Sequence, residues 1–510
     1  MFDKRRSPIM LAIYERDILL GKLDNEFSAI KHYLMSAVGE TEIHRVEKEL
    51  FARLQEIGRM LLNIYIKEHG TGYNTSMTLH SQTGKRLRYK GLVKRQYFSI
   101  FGEITIERAG YATDCKGYFY PLDQQLNLPE GKYSYLLRKW IESQAVESDF
   151  REALSHFNEM FDFIFFPTLP QRLAREASIH VDQFYEEQEP PVPVTEGSHI
   201  GISMDGKGVR ILKSERADKP PKAQQFKARR SKGEKPGIKK EALVTVDFTF
   251  NLLTRNPKEI VKALLNEYSE QERREFCRRN RQWSLNKHVR ATLAGKEVAA
   301  EYLIQRVLKR DPHEQKPIIV LIDGDPALEK ALKNIIRVHH QLGRVDGVIL
   351  DIIHVCEYLW KAAAALYGEK SNERISWMRQ KLLAILSSKV GYVISSLKQL
   401  KRKRKLSQGK RKTLQTVITY FENHKHMMDY AAYLEKGYPI ATGLVEGSCG
   451  SLVKDRMEQS GMRWSLNGAQ AVLDLRAVKK NNDWEQFWES IVNAEKNRLY
   501  LPEYQYQKNG

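Results

Sequence analysis

Apolar residues recur three and four positions apart through Leu23, Phe27, Ile30 and Leu34, and again through Leu50, Leu54, Ile57, Leu61 and Ile64. That spacing predicts helix from about residue 11 to 68. The period then changes. KGLVKRQYFSIFGEITIERAGYAT carries β-branched and aromatic residues on both sides of Phe101-Gly102-Glu103, which reads as a hairpin. Its cations Lys90, Lys94, Arg95 and Arg108 fit either a solvated strand face or contact with phosphate. From about residue 134 to 187 the helical period returns in three segments. YLLRKWIESQAVE is the first; DFREALSHFNEMF follows, capped by Ser148 or Asp149; LPQRLAREASIHVDQFYEE is the third, capped by Thr168. Short helices with a sharp turn before the last suit a helix-turn-helix or a plain packing bundle. In the first case Arg172 and Arg175 of the last helix are the candidates for DNA contact.

EEQEPPVPVTEGS contains Pro190, Pro191 and Pro193, which prevent a helix and stiffen the chain. Beyond this linker the pattern becomes α/β. HIGISMDG and KPIIVLIDGD are apolar runs that end in acids, EALVTVDFTFNL alternates like a strand, and GVILDIIHVCEYLWKAAAALYG reads as strand then helix. Sequence from about 253 to 310 reads as helical. A long helical stretch runs on to about 435 and carries KRKRK at 401–405 and KRK at 410–412. Trp484, Phe487 and Trp488 fall on one helix face and read as core. The expected division is a helical region 1–80, a hairpin region 81–132, a helix-turn-helix-like region 133–186, a linker 187–198, the first part of an α/β domain 199–350, a helical insertion 351–438 and a final part 439–510.

Composition narrows the function. The 510 residues leave room for several domains at about 100–200 residues each. Lys and Arg total 83 against 63 Asp and Glu, a net charge of +20 that favours a polyanionic partner. The loop 213–240 alone holds eleven basic residues and three acids. Basic runs of this kind are solvated charge in many proteins and neutralise phosphates in a DNA-binding one. The four cysteines, Cys115, Cys277, Cys356 and Cys449, are far apart and form no CxxC pair, so neither a disulfide framework nor a structural zinc site is expected. Glu15 and Asp17 interrupt the first apolar run, which excludes a signal peptide, and no apolar stretch reaches the length of a membrane span.

The candidate chemistry lies in three acids. Asp205 and Asp323 close two apolar strands. Either Asp-Gly pair alone is an ordinary turn. Together, on adjacent strands, two carboxylates repel unless a cation neutralises them, and hard oxygen ligands on a rigid sheet suit Mg²⁺ or Mn²⁺. A third carboxylate, Glu446, stands between Gly443 and Gly447, where it can act as a ligand or interact with a helix dipole. Two such ions would activate a water or a 3′-hydroxyl and stabilise the leaving oxygen in phosphoryl transfer.

With these acids the chain resembles the DDE transposases of bacterial insertion sequences, of the ISKra type. The resemblance rests on SMDGKG, LIDGDPAL, LDIIHVCEYLW, and above all PIATGLVEGSCGSLVKDRMEQSGMRWS followed by GAQAVLDLRAVKKNNDWEQFW. It covers roughly residues 80 to 490. It implies an α/β ribonuclease H-like catalytic domain with a helical insertion, preceded by a helical and β-hairpin DNA-binding region. It also implies Mg²⁺-dependent cleavage and joining of DNA, with Mn²⁺ as a substitute, by the triad Asp205, Asp323 and Glu446. The partners would be double-stranded DNA, as terminal inverted repeats and target, and a further copy of the chain in the DNA complex. The expected setting is the prokaryotic cytoplasm, at the nucleoid, with no membrane. His354 of the DxxH element with Asp351 would orient a ligand or the scissile phosphate, or serve as a structural residue at a helix start; Lys454, Arg456 and Arg463 would contact the DNA, and Trp464 would either stack on a base beside Arg463 or pack in the core. One departure concerns the second acid: the sequence here reads DGDP, so Asp325 competes with Asp323, which directly ends the apolar strand. Two other readings share these features: a catalytically inactive or domesticated DNA-binding protein, and a ribonuclease H-like nuclease without strand transfer.

Overall fold

The structure, a computed structural model, describes residues 8–73, 77–81, 86–112, 118–161, 165–215, 239–368, 371–500 and 504–508. Cys115 and most of the basic loop 213–240 lie outside the described residues. The strands are β1 (Met77–Ser81), β2 (Arg88–Ser99), β3 (Gly102–Ala112), β4 (His199–Arg210), β5 (Lys239–Phe250), β6 (Leu285–Thr292), β7 (Ile318–Ile322), β8 (Val345–Leu350) and β9 (Tyr504–Lys508). They belong to two compact units, residues 1–180 with 484–510, and residues 181–483.

In the first unit the predicted long helix is two helices, Pro8–Ala37 and Ile43–Glu68, broken at Val38-Gly39-Glu40 where Gly39 takes a positive φ. β2 and β3 form the hairpin, closed by Gly102 with a φ of 121°. Arg95 and Arg108 are not phosphate contacts: both turn onto the buried carboxylate of Asp123, Arg95 at 2.8 Å. Lys90 and Lys94 are exposed. Helices Tyr135–Ala145, Phe150–Phe161 and Leu169–Ser178 pack around Leu137, Ile141, Leu154, Phe157, Leu169 and Leu173. Asp149, not Ser148, caps the middle helix, accepting from the N–H groups of Arg151 and Glu152. Arg172 and Arg175 are exposed on the last helix. The segment read as one third helix is two: Val181–Glu187 is separate and belongs to the second unit, so the division falls before the proline linker. The C-terminal helix Trp484–Tyr500 belongs to the first unit, where Trp484, Phe487 and Trp488 are buried as the periodicity implies.

The second unit is built on a five-stranded mixed sheet in the order β6-β5-β4-β7-β8. β5 runs antiparallel to both its neighbours, β4 and β6; β4, β7 and β8 run parallel. Every residue of β7 is buried, as an apolar run covered on both faces requires. Helices Lys296–Arg310 and Leu466–Lys480 pack on β5 and β6. β6 falls where helix was expected. Its polar side chains His288 and Arg290 are buried but partnered: His288 faces Asp247 at 3.3 Å, and Arg290 reaches Asp182 at 2.7 Å. After β8 come Ile352–Tyr367, Asn372–Leu386, Val390–Lys403, Gln408–His424 and Tyr430–Lys436, the helical stretch read from the sequence.

Candidate active site

Strand register sets the geometry. β4 and β7 pair in parallel up to Ser203 and Leu321, so Asp205 and Asp323, each two residues further on, come at the same end of neighbouring strands. β7 and β8 pair up to Ile322 and Leu350, which sets Asp351 beside Asp323 in the same way. Three consecutive parallel strands therefore place an aspartate at the same end of the sheet. Asp205 does not end its strand, as the sequence implied. β4 continues to Arg210 against β5, and Asp205 is uncovered because its other neighbour, β7, stops.

Each acid has a distinct local role. The Asp323 carboxylate accepts the Asp325 N–H at 2.9 Å, and Gly324 between them takes a φ of 92°. A Cβ at Gly324 would stand about 3.1 Å from the Tyr420 hydroxyl and from His424 Nε2. Tyr420 donates to the Asp323 carbonyl at 2.9 Å. Burial pushes the Asp323 carboxyl above its usual range; the Asp325 N–H opposes this and the charge of Asp205 adds to it. Asp325 is otherwise engaged. It caps the helix Pro326–Val338 through the Ala327 N–H at 2.7 Å and pairs with Lys296 at 2.7 Å, which holds its carboxyl low. The geometry therefore favours Asp323 as the second acid.

Glu446 lies on the helix Gly443–Ser448, which continues into a π-helical stretch, Cys449–Lys454, and the turn Asp455–Met457. The π segment lets the chain pass the sheet end with Glu446 partly buried and Cys449 buried one turn later. Cys449 Sγ donates to Asp205 at 3.4 Å and ties this helix to β4. Burial raises the Glu446 carboxyl, with the charges of Asp351 and Asp205 adding to it and His354 opposing.

Asp351 is fully buried and is the centre of a network that the triad alone does not reveal. It caps Ile352–Tyr367 through the Ile353 N–H, accepts the Thr442 hydroxyl, and holds His354 Nδ1 at 3.1 Å. The same nitrogen is 3.6 Å from Glu446. His354 is pushed up to about 9, chiefly by its hydrogen bond to Asp351, with burial opposing and the charges of Asp323 and Glu446 assisting. Among the described residues, Asp351, His354 and Glu446 bring their ligand atoms within 4.8 Å of one another. Asp205, Asp323 and Glu446 do not close to that spacing.

The remaining candidates divide by exposure. Lys454 and Arg463 face solvent. Arg456 and Trp464 do not, and so are not available to DNA. The Arg456 side chain is fully buried beneath the Trp464 ring, and the indole N–H donates to the Met457 carbonyl at 3.1 Å. The Trp464 backbone pairs with Arg210 and Leu212, extending the β4 edge. No helix among the described residues is long and apolar enough to cross a membrane. No protein-family model matches the chain, and no curated protein matches it.

Proposed function

We propose that the chain is a DDE-type DNA transposase whose second unit is a ribonuclease H-like catalytic domain with a helical insertion. The observation that carries this reading is the register match of Asp205 with Asp323 on neighbouring parallel strands, with Glu446 coupled electrostatically to Asp205 from a helix tied there by Cys449. The donors are hard carboxylate oxygens, partly buried and mutually repelling, and they fit Mg²⁺ or Mn²⁺. When bound, such ions supply Lewis-acid charge and lower the pKa of an attacking water or 3′-hydroxyl.

The side chains then divide the work. Asp205, Asp323 and Glu446 would hold the ions and transfer no proton themselves. Asp351 fixes the His354 ring by accepting from Nδ1, and the charged ring offers a cation to a phosphate oxygen beside Glu446. Lys454, Arg463 and, in the first unit, Arg172 and Arg175 are exposed and suited to the DNA backbone. The substrates are double-stranded element ends and target DNA, joined in a homo-oligomeric complex because two ends must meet. The site of action is the prokaryotic cytoplasm, at the nucleoid.

The test uses duplexes carrying the DNA that borders the gene, incubated with the protein and Mg²⁺. Strand-transfer products should form, and Asp205→Ala should abolish them. Cleavage without joining would replace the proposal with a nuclease; products persisting in the variant would mean the acids are misassigned.

A further inference from the structure

Between Glu373 and Glu422 the chain contains thirteen Lys and Arg residues and no acid. This stretch forms the helices Asn372–Leu386 and Val390–Lys403 and most of Gln408–His424. Some of its cations hold the insertion together. Lys398 pairs with Glu422, Lys401 donates to Gln415 at 2.6 Å, and Arg404 donates to the Leu366 carbonyl at 2.8 Å while covering the Tyr367 ring. Around the tip between the last two helices, Arg402, Lys403, Lys405, Lys410, Arg411 and Lys412 are exposed, with no acid in that stretch of chain to balance them. A solvated helix face ordinarily mixes signs; a concentrated single sign attracts a polyanion.

The tip is also registered to the catalytic strands. The helix that begins at Gln408 ends on the turn that carries the second acid: Tyr420 donates to the Asp323 carbonyl, and His424 Nε2 is 2.9 Å from the Gly324 carbonyl oxygen. From Lys410 to Tyr420 is ten residues of helix, about 15 Å. That length spans about four to five base pairs of duplex at ~3.4 Å each.

We infer that the tip of the helical insertion is a phosphate clamp for duplex DNA, gripping the backbone about four to five base pairs from the bond placed at Asp205 and Asp323. The position of the grip rests on the transposase reading; the binding itself does not. Contact is with phosphates, so it needs no particular base sequence.

The test measures binding of the full-length protein to a random 40-base-pair duplex by fluorescence anisotropy over a range of salt concentrations. Each lost phosphate contact makes the slope of log K against log salt shallower by ~0.9. With Arg402, Lys403, Lys405, Lys410, Arg411 and Lys412 all changed to Gln, the slope should flatten by ~3 or more and affinity should fall at least ~10-fold. Binding is scored apart from strand transfer, so a protein that binds through the tip yet transfers no strand keeps the clamp and loses only its assigned position. In wild-type protein, the duplex should protect Lys403, Lys405, Lys410 and Lys412 from an amine-reactive label, a readout independent of the folding of the Gln variant. An unchanged slope in a folded Gln variant, unprotected lysines, or protection by duplex RNA and not by DNA would overturn the inference.

Discussion

Cys449 Sγ donates a hydrogen bond to the Asp205 carboxylate at 3.4 Å, joining two residues 244 positions apart in sequence. Cys449 is one helical turn beyond Glu446, so this contact ties the helix that bears Glu446 to Asp205. A small side chain that donates should substitute for it. Cys449→Ser is expected to keep strand transfer within ~10-fold, whereas Cys449→Phe overpacks the junction and should cost about 1–3 kcal/mol of stability along with the activity. Equal activity in the Phe variant would show that this junction does not position Glu446.

Asp323 and Asp325 separate cleanly. Asp323→Asn should reduce Mg²⁺-dependent strand transfer by ~100-fold or more. Asp325→Ala should lose a helix cap and cost about 1 kcal/mol, with activity largely kept. The surface pair with Lys296 adds little to that cost. Urea midpoints and strand-transfer rates on both variants check the division, and the reverse pattern would exchange the two assignments.

His354 predicts a pH dependence. Its folded pKa of about 9 lies above the unfolded value of about 6.5. The native state therefore binds more protons in that window, and the contribution is complete below pH 6.5 and lost as pH rises through 9. It amounts to at most about 3 kcal/mol, reduced by solvent screening. Chemical denaturation from pH 6 to 10 in metal-free buffer should show this loss, and His354→Gln should remove it. Saturating Mg²⁺ should shrink the slope, because a cation near the ring opposes protonation. A wild-type slope in the Gln variant would sink this assignment.

Arg463 and Trp464 are adjacent but opposite in role. Trp464→Ala should destabilise by about 3–5 kcal/mol. Arg463→Ala should leave thermal stability unchanged and make the salt dependence of DNA binding shallower by ~0.9. Anisotropy and calorimetry on the two variants distinguish them; weaker DNA binding without loss of stability in the Trp464 variant would contradict its burial.

The parts of the fold that were legible in sequence are those with an unbroken apolar run or a clear apolar period. β7 stands out because a buried parallel strand needs no polar face, and the apolar runs of β4 and β8 lead into the acids Asp205 and Asp351 at the same sheet end. β6 was hidden because His288 and Arg290 interrupt its apolar run, and only their partners Asp247 and Asp182, distant in sequence, make their burial tolerable. Asp351 and His354 were visible as a motif, but the Thr442 hydroxyl that completes their network was not, since nothing local signals it. In sequence Arg456 reads as a DNA contact because it sits beside the acidic motif, and Trp464 as either a base-stacking or a core residue. Their inward direction follows from the pairing of residue 464 with the β4 edge, a long-range event.

The most direct test of a divalent-ion site shared by Asp205, Asp323 and Glu446 needs no DNA. Fe²⁺ in place of Mg²⁺, with ascorbate and peroxide, cuts the peptide chain nearest the bound ion, and mass spectrometry locates the cuts. Cleavage clustered around residues 205, 323 and 446, suppressed by excess Mg²⁺ and lost in Asp205→Asn, is the expected result. Cuts that avoid these three segments, or that persist unchanged in the variant, would contradict the account.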